Sequence, residues 1–121
     1  MPTKEELYEK AVDLFSENKL EESIATYKEV LALDPKYVDA LLGLAMAHAQ
    51  GGRLDEAIAV AKQAIEADPE SVLPHTTLSM FYQQKGMIPE AEKESAVART
   101  LSWKEELREK ARQKEQQQEE P

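Results

Sequence analysis

Apolar positions recur along most of the chain at intervals of three and four. Leu7, Ala11, Leu14 and Phe15 make one such stripe, and Ile24, Tyr27, Val30 and Leu31 make the next. That spacing belongs to amphipathic helices with one face turned to a core. The punctuation between stripes fits the same reading. Thr3 with Glu6 forms a capping box that opens the first helix near residue 4. Asn18-Lys19, Gly51-Gly52 and Gly86 interrupt the pattern at places where a tight turn needs a left-handed backbone. Asp34-Pro35 stops the second stripe, because proline cannot continue a helix, and Pro89 stands where a helix tolerates it at its start. Six helices are predicted, over 4–16, 21–33, 38–50, 55–67, 72–84 and 89–100. A seventh is expected from Ser102, where Ser102 and Glu105 form another capping box ahead of the stripe Trp103, Leu107, Ala111. Past Ala111 the sequence RQKEQQQEEP is polar all round, so residues 112–121 are expected to fray.

The pattern is periodic at a longer scale. Asp34-Pro35 returns 34 positions later as Asp68-Pro69. Leu20-Glu21-Glu22 returns as Leu54-Asp55-Glu56 and then as Ile88-Pro89-Glu90. Small residues recur where small residues stood: Ala11, Ala45 and Ser79, then Ser23, Ala57 and Ala91. Three copies, 4–37, 38–71 and 72–105, therefore each encode a pair of helices. No single pair can bury its own apolar face, so the copies must stack, and the last needs a cap. The expected organisation is a domain over 1–105 followed by a capping helix with a polar tail over 102–121.

Charge and composition narrow the function. Twenty-four acids against 15 bases give a net charge of −9. Such a surface repels phosphate backbones, so nucleic acid is not an expected partner. No apolar run approaches the roughly 18 residues of a membrane helix. The opening MPTKEELYEK lacks the apolar core of a secretory signal, and a cytoplasmic protein is expected. The cations of the tail are cancelled by its acids, five against four over 106–121, so no membrane contact is expected there.

Catalytic chemistry finds little footing. The chain has no cysteine and two histidines, His48 and His75. These lie seven positions apart within their copies, about 10 Å along parallel helices, too far to share a metal. Both read as packing residues. The acids Glu21-Glu22, Asp55-Glu56 and Glu90 recur at helix N-termini, where they complement the helix dipole. Gly51-Gly52 lacks the GK[ST] sequence of a phosphate loop. No enzyme activity, cofactor or metal is expected.

The 34-residue period resembles the tetratricopeptide repeat. Within each copy the eighth position is small (Ala11, Ala45, Ser79) and the twentieth is Ala or Ser (Ser23, Ala57, Ala91). The twenty-seventh is Val30, Ala64 or Ala98, and the thirty-second is Pro35 or Pro69. The third copy departs from the pattern, with His75 at the fourth position and Trp103 in place of the closing proline. The resemblance implies an all-α fold, a right-handed α-solenoid of three helix-turn-helix repeats ending in a C-terminal capping helix. It implies a protein–protein interaction module, an adaptor or assembly factor that holds a partner peptide or helix in a concave groove lined by first helices. Positions carried over to that groove are Glu5, Tyr8, Val12 and Phe15, then Asp39, Leu42, Gly43, Met46 and Gln50, then Leu73, Thr76, Thr77, Met80, Gln83 and Gln84. Of these, Tyr8, Val12, Phe15, Leu42, Met46, Leu73, Thr76, Met80 and Gln83 are the residues expected to bind the partner.

One subclass of the family clamps acidic chaperone C-termini with two Lys, two Asn and one Arg. The matching positions here are Tyr8, Val12, Gly43, Leu73 and Thr77, and none carries the required residue. An apolar or amphipathic segment is the expected partner instead, with basic residues at its edge to meet Glu5, Glu9 and Asp39. The alternative in another class is a self-associating scaffold protein, a weak homo-oligomer that uses the groove or the Trp103 end.

Overall fold

The structure, a computed structural model, describes residues 1–119. Six helices account for nearly all of them: α1 Lys4–Ser16, α2 Leu20–Leu33, α3 Val38–Gln50, α4 Leu54–Ala67, α5 Val72–Gln84 and α6 Ile88–Glu119. The Thr3 hydroxyl accepts from the Glu6 amide at 3.1 Å while the Glu6 carboxylate accepts from the Thr3 amide at 3.3 Å. The first helix therefore opens on the predicted capping box.

Each pair of helices is closed by the same turn. The left-handed residue is Asn18 (φ 62°) in the first pair, Gly52 (φ 80°) in the second and Gly86 (φ 80°) in the third. The amides of Lys19, Arg53 and Met87 then donate back to the carbonyls of Leu14, His48 and Tyr82 at 2.9, 2.8 and 2.8 Å. Such six-to-one closure satisfies carbonyls that the helix end would leave orphaned. Between pairs the stop is different. Asp34 and Asp68 take the amides of Lys36 and Glu70 on their side chains, at 3.3 and 3.2 Å, and the proline between them ends the helix.

Small residues set how closely the two helices of a pair approach. Ala11, Ser23, Ala45, Ala57 and Ala91 are almost wholly buried. The Ser23 hydroxyl donates to the Ala11 carbonyl at 2.8 Å, and the Ser79 hydroxyl donates to the Ala91 carbonyl at 2.7 Å. The same contact is thus made from the second helix in one repeat and from the first helix in another. Larger side chains fill the space around these contacts, with Val30, Leu78 and Phe81 fully enclosed.

The C-terminal end corrects the sequence reading. No capping helix begins at Ser102: α6 runs unbroken from Ile88 to Glu119 and carries Ser102 half-buried in its interior. Trp103 keeps 61% of its surface exposed and Leu107 46%, so neither side chain covers the end of the stack. The helical state of 112–119 likewise replaces the expected fraying, while residues 120–121 lie outside the described part. The cause is in the punctuation. Where the first two copies have Asp34-Pro35 and Asp68-Pro69, the third has Ser102-Trp103, and no Gly or Pro occurs from residue 90 to 119. Without a breaker, a serine followed by good helix formers stays in the helix. Among the described residues no helix is long and apolar enough to cross a membrane.

Candidate functional site

Side chains of α1, α3 and α5, the first helix of each pair, enclose an apolar groove of about 420 Å³. Tyr8 comes from α1. Asp39, Leu42, Gly43 and Met46 come from α3, and Leu73, Thr76, Thr77 and Met80 from α5. On α3 and α5 the contributing residues fall at equivalent places, because the 34-residue period brings Asp39 to Leu73, Gly43 to Thr77 and Met46 to Met80. Leu42 is buried in the floor, whereas Leu73, Met46 and Met80 stay 56, 37 and 36% exposed.

Six of the nine residues expected in a binding groove meet there: Tyr8, Leu42, Met46, Leu73, Thr76 and Met80. Val12, Phe15 and Gln83 do not line it, nor do the other carried-over positions Glu5, Gln50 and Gln84. Phe15 is half-buried against the core, Val12 points outward on α1, and Gln83 sits a turn beyond Met80. The cavity therefore ends near the middle of each first helix.

A cluster of tyrosines supports its α1 side. The Tyr8 ring lies 6.1 Å from that of Tyr27 and 5.6 Å from that of Tyr37, both tilted. Burial pushes the Tyr27 phenol up to about 12, and burial with the nearby Asp39 charge also raises that of Tyr8. The Tyr27 ring presses on the backbone of Gly43, leaving no space for a side chain there. Lys4 closes the flank beyond: it bonds the Asp34 carboxylate at 2.8 Å and stands 5.3 Å over the Tyr37 ring. The Lys4 ammonium holds the Asp34 carboxyl below its usual range.

Both histidines are buried inside helix pairs, as packing residues would be. His75 Nδ1 is 2.7 Å from the carboxylate of Glu94 on α6. His48 Nδ1 comes within 3.2 Å of Glu56 on α4, outside hydrogen-bonding geometry, so this nitrogen has no partner. Its pKa is lowered, chiefly by burial, with the Glu56 charge opposing. In the sequence Glu56 reads only as a complement to a helix dipole and Glu94 is not singled out, although a signal for Glu94 exists. Once the eighth position of a repeat faces the twentieth, the fourth must lie opposite about the twenty-fourth, which brings His75 near Glu94. Among the described residues no three His, Asp or Glu side chains gather as a metal site.

A helical stack of paired helices with small residues at the crossings is the architecture of the tetratricopeptide repeat. The model of that family matches residues 8–72, more than half of the chain, and the protein belongs to it. Solved structures agree in fold. The chain is similar to MamA (TM-score 0.80, 23% identity, 85% of this chain and 60% of that one). It is also similar to SycD, a type III secretion translocator chaperone of Yersinia enterocolitica (TM-score 0.78, 24% identity, 81% of this chain and 73% of that one). A third is the second repeat domain of Spaghetti (RPAP3), solved with the HSP90 peptide SRMEEVD (TM-score 0.75, 21% identity, 82% and 92%). This chain thus spans less than two thirds of the MamA length. No curated protein matches it in sequence.

Proposed function

We propose that the protein is a non-enzymatic interaction module, an adaptor or assembly factor whose groove receives an apolar or amphipathic segment of a partner protein. The observation that carries this reading is the convergence of Leu42, Met46, Leu73 and Met80 in one open groove that has no cation in its lining. Similar structures bound to peptides support it: the RPAP3 domain with its HSP90 peptide, and SycD with a peptide of the translocator YopD. The occupant here differs in chemistry from the acidic HSP90 peptide. Tyr8, Val12, Gly43, Leu73 and Thr77 offer no cation to a terminal carboxylate, and Asp39 repels one. Two methionines suit tolerant recognition, since an unbranched thioether repacks around differently shaped anchors.

On this reading residues 1–105 form the binding domain. Tyr8, Leu42, Met46, Leu73, Thr76 and Met80 touch the segment, and Val12, Phe15 and Gln83 flank it at most. The cytoplasm is the compartment we assign, which cell fractionation checks. Selection of peptides from a random displayed library against the full chain tests the function. Amphipathic peptides with Lys or Arg beside apolar anchors should emerge, and Met46→Glu with Leu73→Glu should weaken them at least tenfold at unchanged helicity. Enrichment of acidic C-terminal peptides, or equal affinity for the double variant, would overturn it.

A further inference from the structure

The partner chemistry that the groove calls for is present on the chain itself. Beyond Leu101, α6 projects from the body with an ion pair back to it, Arg108 to Glu70 at 3.3 Å, and every residue from Trp103 to Gln118 is exposed. Trp103, Leu107 and Ala111 follow one another at intervals of four along one face. At 3.6 residues per turn, Lys110 and Lys114 lie within about 40° of the midline through Trp103 and Leu107, while Lys104 and Glu106 flank it at about 80° on either side. The carboxylates of Glu105, Glu109 and Glu115 fall farther round from that midline, Glu115 continuing the four-residue spacing beyond Ala111. An apolar stripe bordered by lysines is the complement of an apolar groove that holds Asp39 and no cation.

Lengths agree as well. From Trp103 to Ala111 the stripe covers about 12 Å at 1.5 Å per residue. The groove crosses from α1 through α3 to α5, two helix spacings or about 16–20 Å. Its volume of about 420 Å³ accommodates an indole and a leucine side chain together. The stripe cannot reach the groove of its own chain. Helix α6 is unbroken, carries no Gly or Pro from residue 90 to 119, and is held to the body by the buried Ala98 and Leu101. We propose that the projecting part of α6 docks, through Trp103 and Leu107, into the groove of a second copy of this chain, so that the protein self-associates helix-in-groove and a partner segment enters by displacing it. The proposal rests on the reading of the groove as a binding surface.

Trp103 is the single tryptophan, so its fluorescence reports this contact alone. As the full chain is concentrated from about 1 μM to 1 mM, a range that brackets weak association, the mass should rise from 13.6 kDa toward twice that value in sedimentation equilibrium. Trp103 emission should move to shorter wavelength over the same range. Trp103→Ala, and separately Met46→Glu with Leu73→Glu, should each weaken association at least tenfold with helicity unchanged. Mixing the two variants should restore a dimer, since one supplies an intact groove and the other an intact helix. A chain that stays monomeric throughout overturns the proposal. If that monomer still binds library-selected peptides in its groove, the interaction-module reading survives; if it binds none, both fall. Association that persists in the groove variant also overturns the proposal, because the helix then pairs with something other than the groove.

Discussion

Gly43 on α3 and Tyr27 on α2 share a space that has room for only one side chain. A Cβ built on Gly43 would lie 2.3 Å from Tyr27 Cζ and 2.6 Å from its hydroxyl oxygen. Tyr27 is 3% exposed and backed by Tyr8, so its ring cannot swing aside cheaply. Gly43→Ala should therefore destabilise the protein by about 1–3 kcal/mol, the usual cost of overpacking. In Tyr27→Leu the alanine should cost far less. Chemical denaturation of the four members of this cycle measures the coupling, and additive losses would show that the ring does relax.

The histidines should respond differently to substitution. His75→Leu strips the partner from Glu94, whose side chain is only 19% exposed, and should cost about 1–3 kcal/mol. Replacing His75 and Glu94 together with leucine should recover much of that loss. His48→Phe removes a buried nitrogen with no hydrogen bond and should leave stability within about 1 kcal/mol of the parent. Thermal melts of the three variants separate these outcomes.

Burial lowers the His48 pKa, so the unfolded chain takes up a proton at a higher pH than the folded one. Its contribution to stability is complete above the unfolded value of about 6.5 and is lost as pH falls through that value toward the lowered folded one. Unfolding midpoints should drop between pH 7.5 and 5.5, and His48→Phe should flatten the slope. An unchanged slope in that variant assigns it to other groups.

At the alkaline end the controlling group is Tyr27. The unfolded phenol ionises near 10, whereas the folded one is pushed up to about 12 by burial. The neutral phenol thus favours the folded state below pH 10, an advantage lost as pH rises toward 12. Ultraviolet titration of the four tyrosines should show one ionising last, and Tyr27→Phe should remove that step.

Removing 103–121 tests the C-terminal helix. Were Trp103 and Leu107 a cap, their loss would cost several kcal/mol. As exposed side chains on a projecting helix, they should lower stability by no more than about 1 kcal/mol. Differential scanning calorimetry of the shortened and full chains at low concentration decides between the two.

The repeat architecture was legible because it rests on local rules repeated three times. Turn residues at 18, 52 and 86, small residues at the crossings and Asp-Pro stops each announce themselves without reference to the rest of the chain. The continuity of α6 was not legible, because the Ser102–Glu105 pair writes a start signal that only a preceding break would activate. Six groove residues followed from the positions that the family resemblance carries over to the first helices. Val12, Phe15 and Gln83 did not, because register fixes which way a side chain leaves its helix and not where along the stack the helices part to leave a cavity. The space that Tyr27 takes from Gly43 is likewise a matter of how two repeats meet, which neither repeat encodes alone.

The unbroken course of α6 has a mechanical meaning. Its first half is clamped against α5 through Ala91, Ala98 and Leu101, and its second half projects with exposed side chains, tied back by the Arg108–Glu70 ion pair. It is a lever about 48 Å long at 1.5 Å per residue over 32 residues, with its fulcrum near Leu101. A load at the free end turns the clamped end, and the clamped end grips the helix that carries Leu73, Thr76 and Met80.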